Sequence, residues 1–289
     1  MNRIGDQLGP ALPVRLFLVG CSRSGTTVVQ RALTDNYRLY SLPETDFFGL
    51  AVAGGVGALC CRFGLARSPR IYNRALDRLQ TLLGVSRERA YGVQSRSMQR
   101  LVAHFVELLD GKAAAEGELG WLEKTPKHFR HTRLIERYVP QSRIIHVVRQ
   151  GPDVVASIRD RALRYPQAFA RQQAPEYAVK LWNRAIHAAL RDAEDGRALI
   201  VQYERFAQHP REIVDSVGAQ LGLPPREHAT AQRPEIVRAT ERWKAGVSGE
   251  IKPAESKFAS LFDATTRQSI MSQLDTRSYQ ALVEHALGR

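Results

Sequence analysis

Cysteine is scarce in this chain: three in 289 residues, Cys21 and the adjacent pair Cys60 and Cys61. An odd count with no metal-ligand spacing excludes a disulfide framework and a zinc ribbon, and it predicts a reducing compartment, the cytoplasm. Acidic residues are also under-represented. There are 29 Asp and Glu against 42 Lys and Arg, a formal charge of +13. The excess is spread along the chain rather than gathered in a basic tail, so the folded surface carries a broad positive field suited to an anionic ligand or acceptor. Zinc-finger spacing, an aromatic RNA-binding signature and a continuous basic helix are all missing, which argues against nucleic acid as the partner. Met1 to Pro13 holds no apolar core of signal-peptide length. The longest apolar stretch, Phe47 to Cys61, is short for a membrane span and is broken by Gly49, Gly54, Gly55 and Gly57, so it is expected to be buried or to line a pocket. The sequence neither calls for nor excludes contact with a membrane surface.

The patterns that are present alternate. Arg15 to Val19 is an apolar run ending at Gly20, followed by a Ser/Gly/Thr loop and a helical pattern from Thr26 to Leu33. Arg143 to Val148 repeats the arrangement, with a turn at Gln150-Gly151-Pro152 and a helix opened by Asp153. A third run, Ala198 to Val201, leads into Tyr203, Glu204 and a helical segment after Pro210. Amphipathic helical patterns, Ser68 to Leu83 and Ser95 to Leu109, fill the space between the first two units, and the segment from Pro234 onward reads as helical and charged. This predicts an α/β fold over a single domain, residues 1–289: a mainly parallel central sheet with helices on both faces and helical insertions.

Gly20-Cys21-Ser22-Arg23-Ser24-Gly25-Thr26-Thr27 has the G-x-x-x-x-G spacing of a P-loop set between strand and helix. Backbone N–H groups and the helix N-terminus can cradle an anion there. A triphosphate-binding loop carries lysine where this one has Thr26, and a partner strand usually supplies an aspartate for magnesium where this chain has Arg149. That pairing suggests a nucleotide with an extra phosphate, bound by arginine and hydroxyl groups without a metal. The competing readings are a P-loop kinase or nucleotide-binding module using Mg-ATP and, less well matched to ordered motifs, a non-catalytic polyanion-binding protein.

At these residues the chain resembles the PAPS-dependent sulfotransferases, closest to the tyrosylprotein sulfotransferase branch and its bacterial relatives; PAPS is 3′-phosphoadenosine 5′-phosphosulfate. CSRSGTT (Cys21 to Thr27) is similar to the family's 5′-phosphosulfate loop and VVRQGPDVVASIRDR (Val147 to Arg161) to its 3′-phosphate motif. The resemblance implies that Arg23, Ser24, Gly25, Thr26 and Thr27 hold the phosphosulfate and that Arg149 and Ser157 hold the 3′-phosphate. Leu42-Pro43-Glu44-Thr45 aligns with a segment bearing the catalytic base, here Glu44, and Glu123-Lys124-Thr125-Pro126 with a lysine motif, here Lys124. LWNRAI (Leu181 to Ile186) and VQYERFAQHP (Val201 to Pro210) match two further blocks, the second bringing a cofactor-contacting tyrosine, Tyr203. Trp243-Lys244 and Ile251-Lys252-Pro253 resemble the C-terminal cofactor cover, which adds Lys244. Asp46 stands where the tyrosylprotein enzymes carry an arginine, a departure that speaks against protein tyrosine as acceptor.

The expected reaction is sulfuryl transfer from PAPS to an acceptor hydroxyl by in-line displacement, in which positioning and electrostatics supply most of the rate. Glu44 would take the hydroxyl proton, and Lys124 would meet the charge developing on the departing oxygen. Histidine is the rival base. His146 alternates with Ile144 and Val148 on a strand and reads as a core residue, whereas His128 and His131 follow the lysine motif on an expected helix and stay open as alternatives.

Overall fold

The computed structural model describes residues 14–52, 54–66, 68–85, 96–227, 236–237 and 256–288. Five strands form one parallel sheet among these residues: β1 (Val14–Gly20), β2 (Leu39–Ser41), β3 (Gly120–Lys124), β4 (Ser142–Val148) and β5 (Ala198–Gln202), in the order β2-β3-β1-β4-β5. β1 is central, registered Leu18 to Lys124 on one side and Gly20 to Val147 on the other. β5 continues the sheet with Val148 opposite Gln202, and β2 ends it with Ser41 opposite Leu122.

Alternation along the strands explains why both faces need cover. Leu16 and Leu18 of β1, Ile145 and Val147 of β4 and Val201 of β5 pack on one face. Phe17, Val19, Ile144, Val148 and Ile200 pack on the other. Helices supply the cover. They are α1 (Thr26–Asn36), α2 (Phe47–Ala51), α3 (Gly54–Arg62), α4 (Pro69–Leu83), α5 (Met98–Ala115), α6 (Thr132–Tyr138), α7 (Gly151–Arg164), α8 (Pro166–Phe169), α9 (Pro175–Glu194), α10 (Tyr203–Gln208), α11 (Pro210–Leu221), α12 (Phe258–Leu261), α13 (Ala264–Gln273) and α14 (Thr276–Val283). Val29 and Leu33 of α1 join Ile213, Val214 and Val217 of α11 on the first face, while α5, α7 and α9 fill the second.

Several boundaries follow from capping. The Ser68 side chain accepts from the Ile71 N–H to open α4, and the Ser97 side chain accepts from Arg100 to open α5. α7 starts two residues before the expected Asp153, because Pro152 fits the first helical turn and Asp153 then lies inside it. Beyond β5 the chain returns through α14, after which the Leu287 N–H donates to the Ile200 carbonyl at 3.0 Å and blunts the open edge.

The apolar stretch Phe47 to Cys61 does not behave as one buried unit. Phe47, Phe48 and Ala51 of α2 are buried, but Val56 and Leu59 of α3 face solvent, and Phe63 just beyond is 76% exposed. The glycines that interrupt the run split it into two short helices with different surroundings. No helix among the described residues is long and apolar enough to cross a membrane.

Candidate active site

The site grows from the carboxyl ends of neighbouring parallel strands, the edge where open α/β sheets hold ligands. β1 stops at Gly20, whose φ of 150° and close approach to the Val147 carbonyl leave no room for a side chain. The loop then alternates unusual backbone: Arg23 takes a left-handed φ of 75° and Gly25 one of 91°. A non-glycine residue there costs about 1–2 kcal/mol, strain that functional loops commonly hold. No side chain caps α1. The first N–H groups of that helix therefore remain available to an anion, with Ser24 and Thr26 buried beside them and Thr27 half-buried.

Arg23 and Arg149 converge on this loop from different elements. Arg23 Nε donates to Ser157 Oγ on α7 at 3.1 Å. Arg149, the residue after β4, places its guanidinium 4.7 Å from the Tyr203 ring centroid, and its side chain lies 3.5 Å from Asp153. Tyr203 opens α10 and lies so close over the loop that a methyl group at Gly25 would meet its ring at 2.2 Å. Burial pushes the Arg23 guanidinium below its usual range, and the charge of Arg149 adds to the effect. Arg161 is likewise pushed down to about 10, first by burial and then by the charge of Arg23. Mutually repelling, desolvated cations at a helix N-terminus form a site that an anion relieves.

On the other side of β1, β3 ends in Lys124, fully buried, whose Nζ donates to Glu44 Oε1 at 2.8 Å. Glu44 follows β2 at the same edge of the sheet and is 27% exposed, so one carboxylate side meets lysine and the group still reaches solvent. The candidate base and lysine are thereby joined, one strand away from the phosphate loop.

A family model described as "Sulfotransferase family" matches residues 13–228, three quarters of the chain. The chain belongs to the sulfotransferase family. No curated protein matches this sulfotransferase by sequence. Among solved structures it resembles the sulfotransferase domain from the curacin biosynthetic pathway, at 16% identity and a TM-score of 0.53, over 91% of this chain and 97% of that one. It also resembles sulfotransferase STF9 from Mycobacterium avium, at 15% identity and a TM-score of 0.50, over 91% of this chain and 76% of that one. At these identities the likeness is one of fold.

The sulfotransferase brings Arg23, Ser24, Gly25, Thr26, Thr27, Arg149, Ser157 and Tyr203 together at one end of its sheet, with Glu44 and Lys124 beside them. Ser157 meets Arg23 rather than Arg149. That link ties the loop to α7, a contact that sequence spacing did not suggest. Lys244, with Trp243, Ile251, Lys252 and Pro253, lies outside the described residues. Two of the three rival histidines are committed to hydrogen bonds elsewhere. His146 is buried with Nε2 3.0 Å from Asp192 Oδ2, and His128 is buried with Nδ1 3.0 Å from Glu123 Oε2 while Nε2 accepts from the Phe48 N–H. His128 sits on a 3-10 turn, Pro126–Arg130, rather than an α-helix. Burial is the leading cause that pushes His131 down to about 3.

Two residues that sequence reasoning passed over hold the Arg149 turn. The Trp182 indole N–H donates to the Arg149 carbonyl at 2.8 Å, and Glu204 Oε1 accepts from the Gln150 N–H at 2.9 Å. Both lie inside quoted motif blocks, adjacent to or near named residues. That proximity was the available signal.

Proposed function

We propose that this sulfotransferase transfers a sulfuryl group from PAPS to a hydroxyl of its acceptor, an anionic or polar compound suited to a basic surface. The convergence of a lysine-free phosphate loop, two arginines and a lysine-bridged carboxylate at adjacent strand ends carries this reading. The buried Ser24 Oγ and Arg149 Nε have no hydrogen-bond partner among the described residues, so the site offers donors of the type a doubly phosphorylated nucleotide needs. Arg23, Ser24 and the N–H groups of Gly25, Thr26 and Thr27 would take the 5′-phosphosulfate. Arg149 and Ser157 would take the 3′-phosphate, and Tyr203, stacked on Arg149, would close over the nucleotide. PAPS, when bound, supplies an activated sulfuryl group on a weakly basic phosphate leaving group. Glu44 accepts the acceptor's hydroxyl proton, held in orientation by Lys124. The lysine would bring its positive charge to the oxygen on which negative charge collects. We take the whole chain to act as one catalytic domain, working in the cytoplasm, where its three free thiols would stay reduced.

Thermal stabilisation by the product nucleotide PAP tests this reading. At a hundredfold excess over its Kd, PAP should add roughly 2.7 kcal/mol to native stability and raise Tm by a few degrees, in EDTA as well as without it. Arg149→Ala should weaken PAP binding by on the order of 2–3 kcal/mol, since a charge-assisted contact is removed. A shift with Mg-ATP alone would support a kinase-like nucleotide site instead.

A further inference from the structure

Glu123 is a fully buried carboxylate with no part in the scheme above, and four consecutive backbone N–H groups are held by the cluster it anchors. Its Oε1 accepts from the Thr45 hydroxyl at 2.7 Å, from the Thr125 hydroxyl at 2.5 Å and from the Thr45 N–H at 3.4 Å. Its Oε2 faces His128 Nδ1 at 3.0 Å. With their protons spent on Glu123, the partners turn lone pairs to the backbone. Thr125 Oγ1 accepts from the Asp46 N–H at 3.2 Å, Thr45 Oγ1 from Phe47 at 3.1 Å and His128 Nε2 from Phe48 at 3.2 Å.

The proton pattern has one solution. An ionised carboxylate has no proton to give, so both threonines and Nδ1 must donate to it. Nε2 accepts the Phe48 N–H and therefore carries none, which fixes His128 as the neutral Nδ1–H tautomer. Burial alone would push the Glu123 carboxyl up, but His128 and the two hydroxyls outweigh it and hold the group below its ordinary value. The T-shaped contact of Phe48 with the His128 ring, centroids 5.3 Å apart, seals the cluster from water.

We infer that Glu123, with His128 and Thr125 as its intermediaries, is the positioning residue for the Glu44–Lys124 pair. The two pairs adjoin in the chain: Glu44 precedes Thr45 in the loop after β2, and Lys124 follows Glu123 in β3. Side chains alternate along a strand, so β3 can send Lys124 to Glu44 while Glu123 grips the next residue of the same loop. The loop must also pass Asp46 in a left-handed conformation, φ 54°, before α2 begins. A short helix opening from such a turn would fray without these side-chain acceptors. The inference rests on the reading of Glu44 as proton acceptor, and the geometry of the loop can be measured apart from it.

The experiment compares Glu123→Gln, Glu44→Gln and the double variant. An amide at 123 cannot accept from three donors and His128 at once, so amide hydrogen exchange of residues 45–48 should accelerate ~100-fold while the Gly20–Thr27 loop stays protected and PAP affinity stays within about threefold. Release of PAP from PAPS, with unsubstituted phenol as the acceptor because its hydroxyl stays protonated at neutral pH, should fall ~30-fold or more in kcat with little change in the KM for PAPS. In the Glu44→Gln background the same substitution should cost less than about threefold, because a residue acting through Glu44 has nothing left to position. Equal losses in both backgrounds, or unchanged exchange at 45–48, would overturn the inference. Near-normal turnover of Glu44→Gln would overturn the proton-acceptor reading while leaving the exchange result to stand by itself. If Glu123→Gln does not fold, Thr125→Val against Thr125→Ser asks the same question: the serine should keep exchange protection and turnover, and the valine should lose both. A serine variant as impaired as the valine counts against the inference.

Discussion

Exchanging one oxygen of Glu44 for an NH2 group keeps the shape of the side chain but removes the capacity to take a proton at neutral pH. Glu44→Gln should therefore lose roughly 10²–10⁴ in turnover with PAP affinity nearly unchanged, and Tm should fall as well, because the buried Lys124 loses its ion pair with the carboxylate. His128→Asn and His146→Asn provide the contrast. Each removes a buried hydrogen bond, to Glu123 and to Asp192 respectively, so their main deficit should appear in Tm. Near-normal turnover in Glu44→Gln beside a chemical loss at either histidine, measured on stable protein, would reverse the assignment. The strand–loop–helix form of Gly20 to Thr27 was legible in the sequence because its glycine spacing sits between an apolar run and a helical pattern. The commitments of the histidines were not, because Glu123, Asp192 and the Phe48 N–H reach them only through tertiary packing.

Among the elements, β1, β4 and β5 could be read from short apolar runs bounded by turn residues. β2 and β3 could not. β2 is three residues long, and β3 reads Gly-Trp-Leu-Glu-Lys, whose last two side chains are charged yet buried, Glu123 bonded to Thr45 and Lys124 to Glu44 of the facing loop. Charge in a strand normally signals exposure, and here it signals a site. The same reasoning applies to the junction of β1 and α1. Gly25→Ala would place a methyl group 2.2 Å from the Tyr203 ring at a φ that L side chains rarely adopt. It should displace α10 from the loop and reduce PAP affinity by at least tenfold, read by calorimetric titration. An alanine variant with native affinity would show that Tyr203 is free to move and does not form the roof of the site.

At the scale of the whole molecule, buried imidazoles tie stability to pH. His131 is held near 3 and His146 is also lowered, with burial the leading cause for each. In the unfolded chain both would titrate near 6.5. Between those limits the unfolded state binds protons that the folded state refuses, so stability is fully present above about 6.5 and falls as pH drops toward 3. Each histidine contributes at most ~1.4 kcal/mol per pH unit. Tm should decline from pH 7.5 to 5.5, and His131→Gln should make the decline shallower. An identical slope in that variant would remove His131 as a source.

The placement of β3 between β1 and β2 has a consequence for how the molecule is made. The central strand is synthesised about a hundred residues ahead of β3, with Leu16, Phe17, Leu18 and Val19 all destined for the interior, yet Val14 finds its β3 partner only when Gly120 has left the ribosome. At ~5–20 residues per second that wait lasts on the order of 5–20 s, with both edges of β1 open to any other extended chain. The nascent polypeptide is thus most vulnerable to misassembly between the synthesis of β1 and that of β3 and β4, and slowing its translation through the α4 and α5 region would lengthen that exposure.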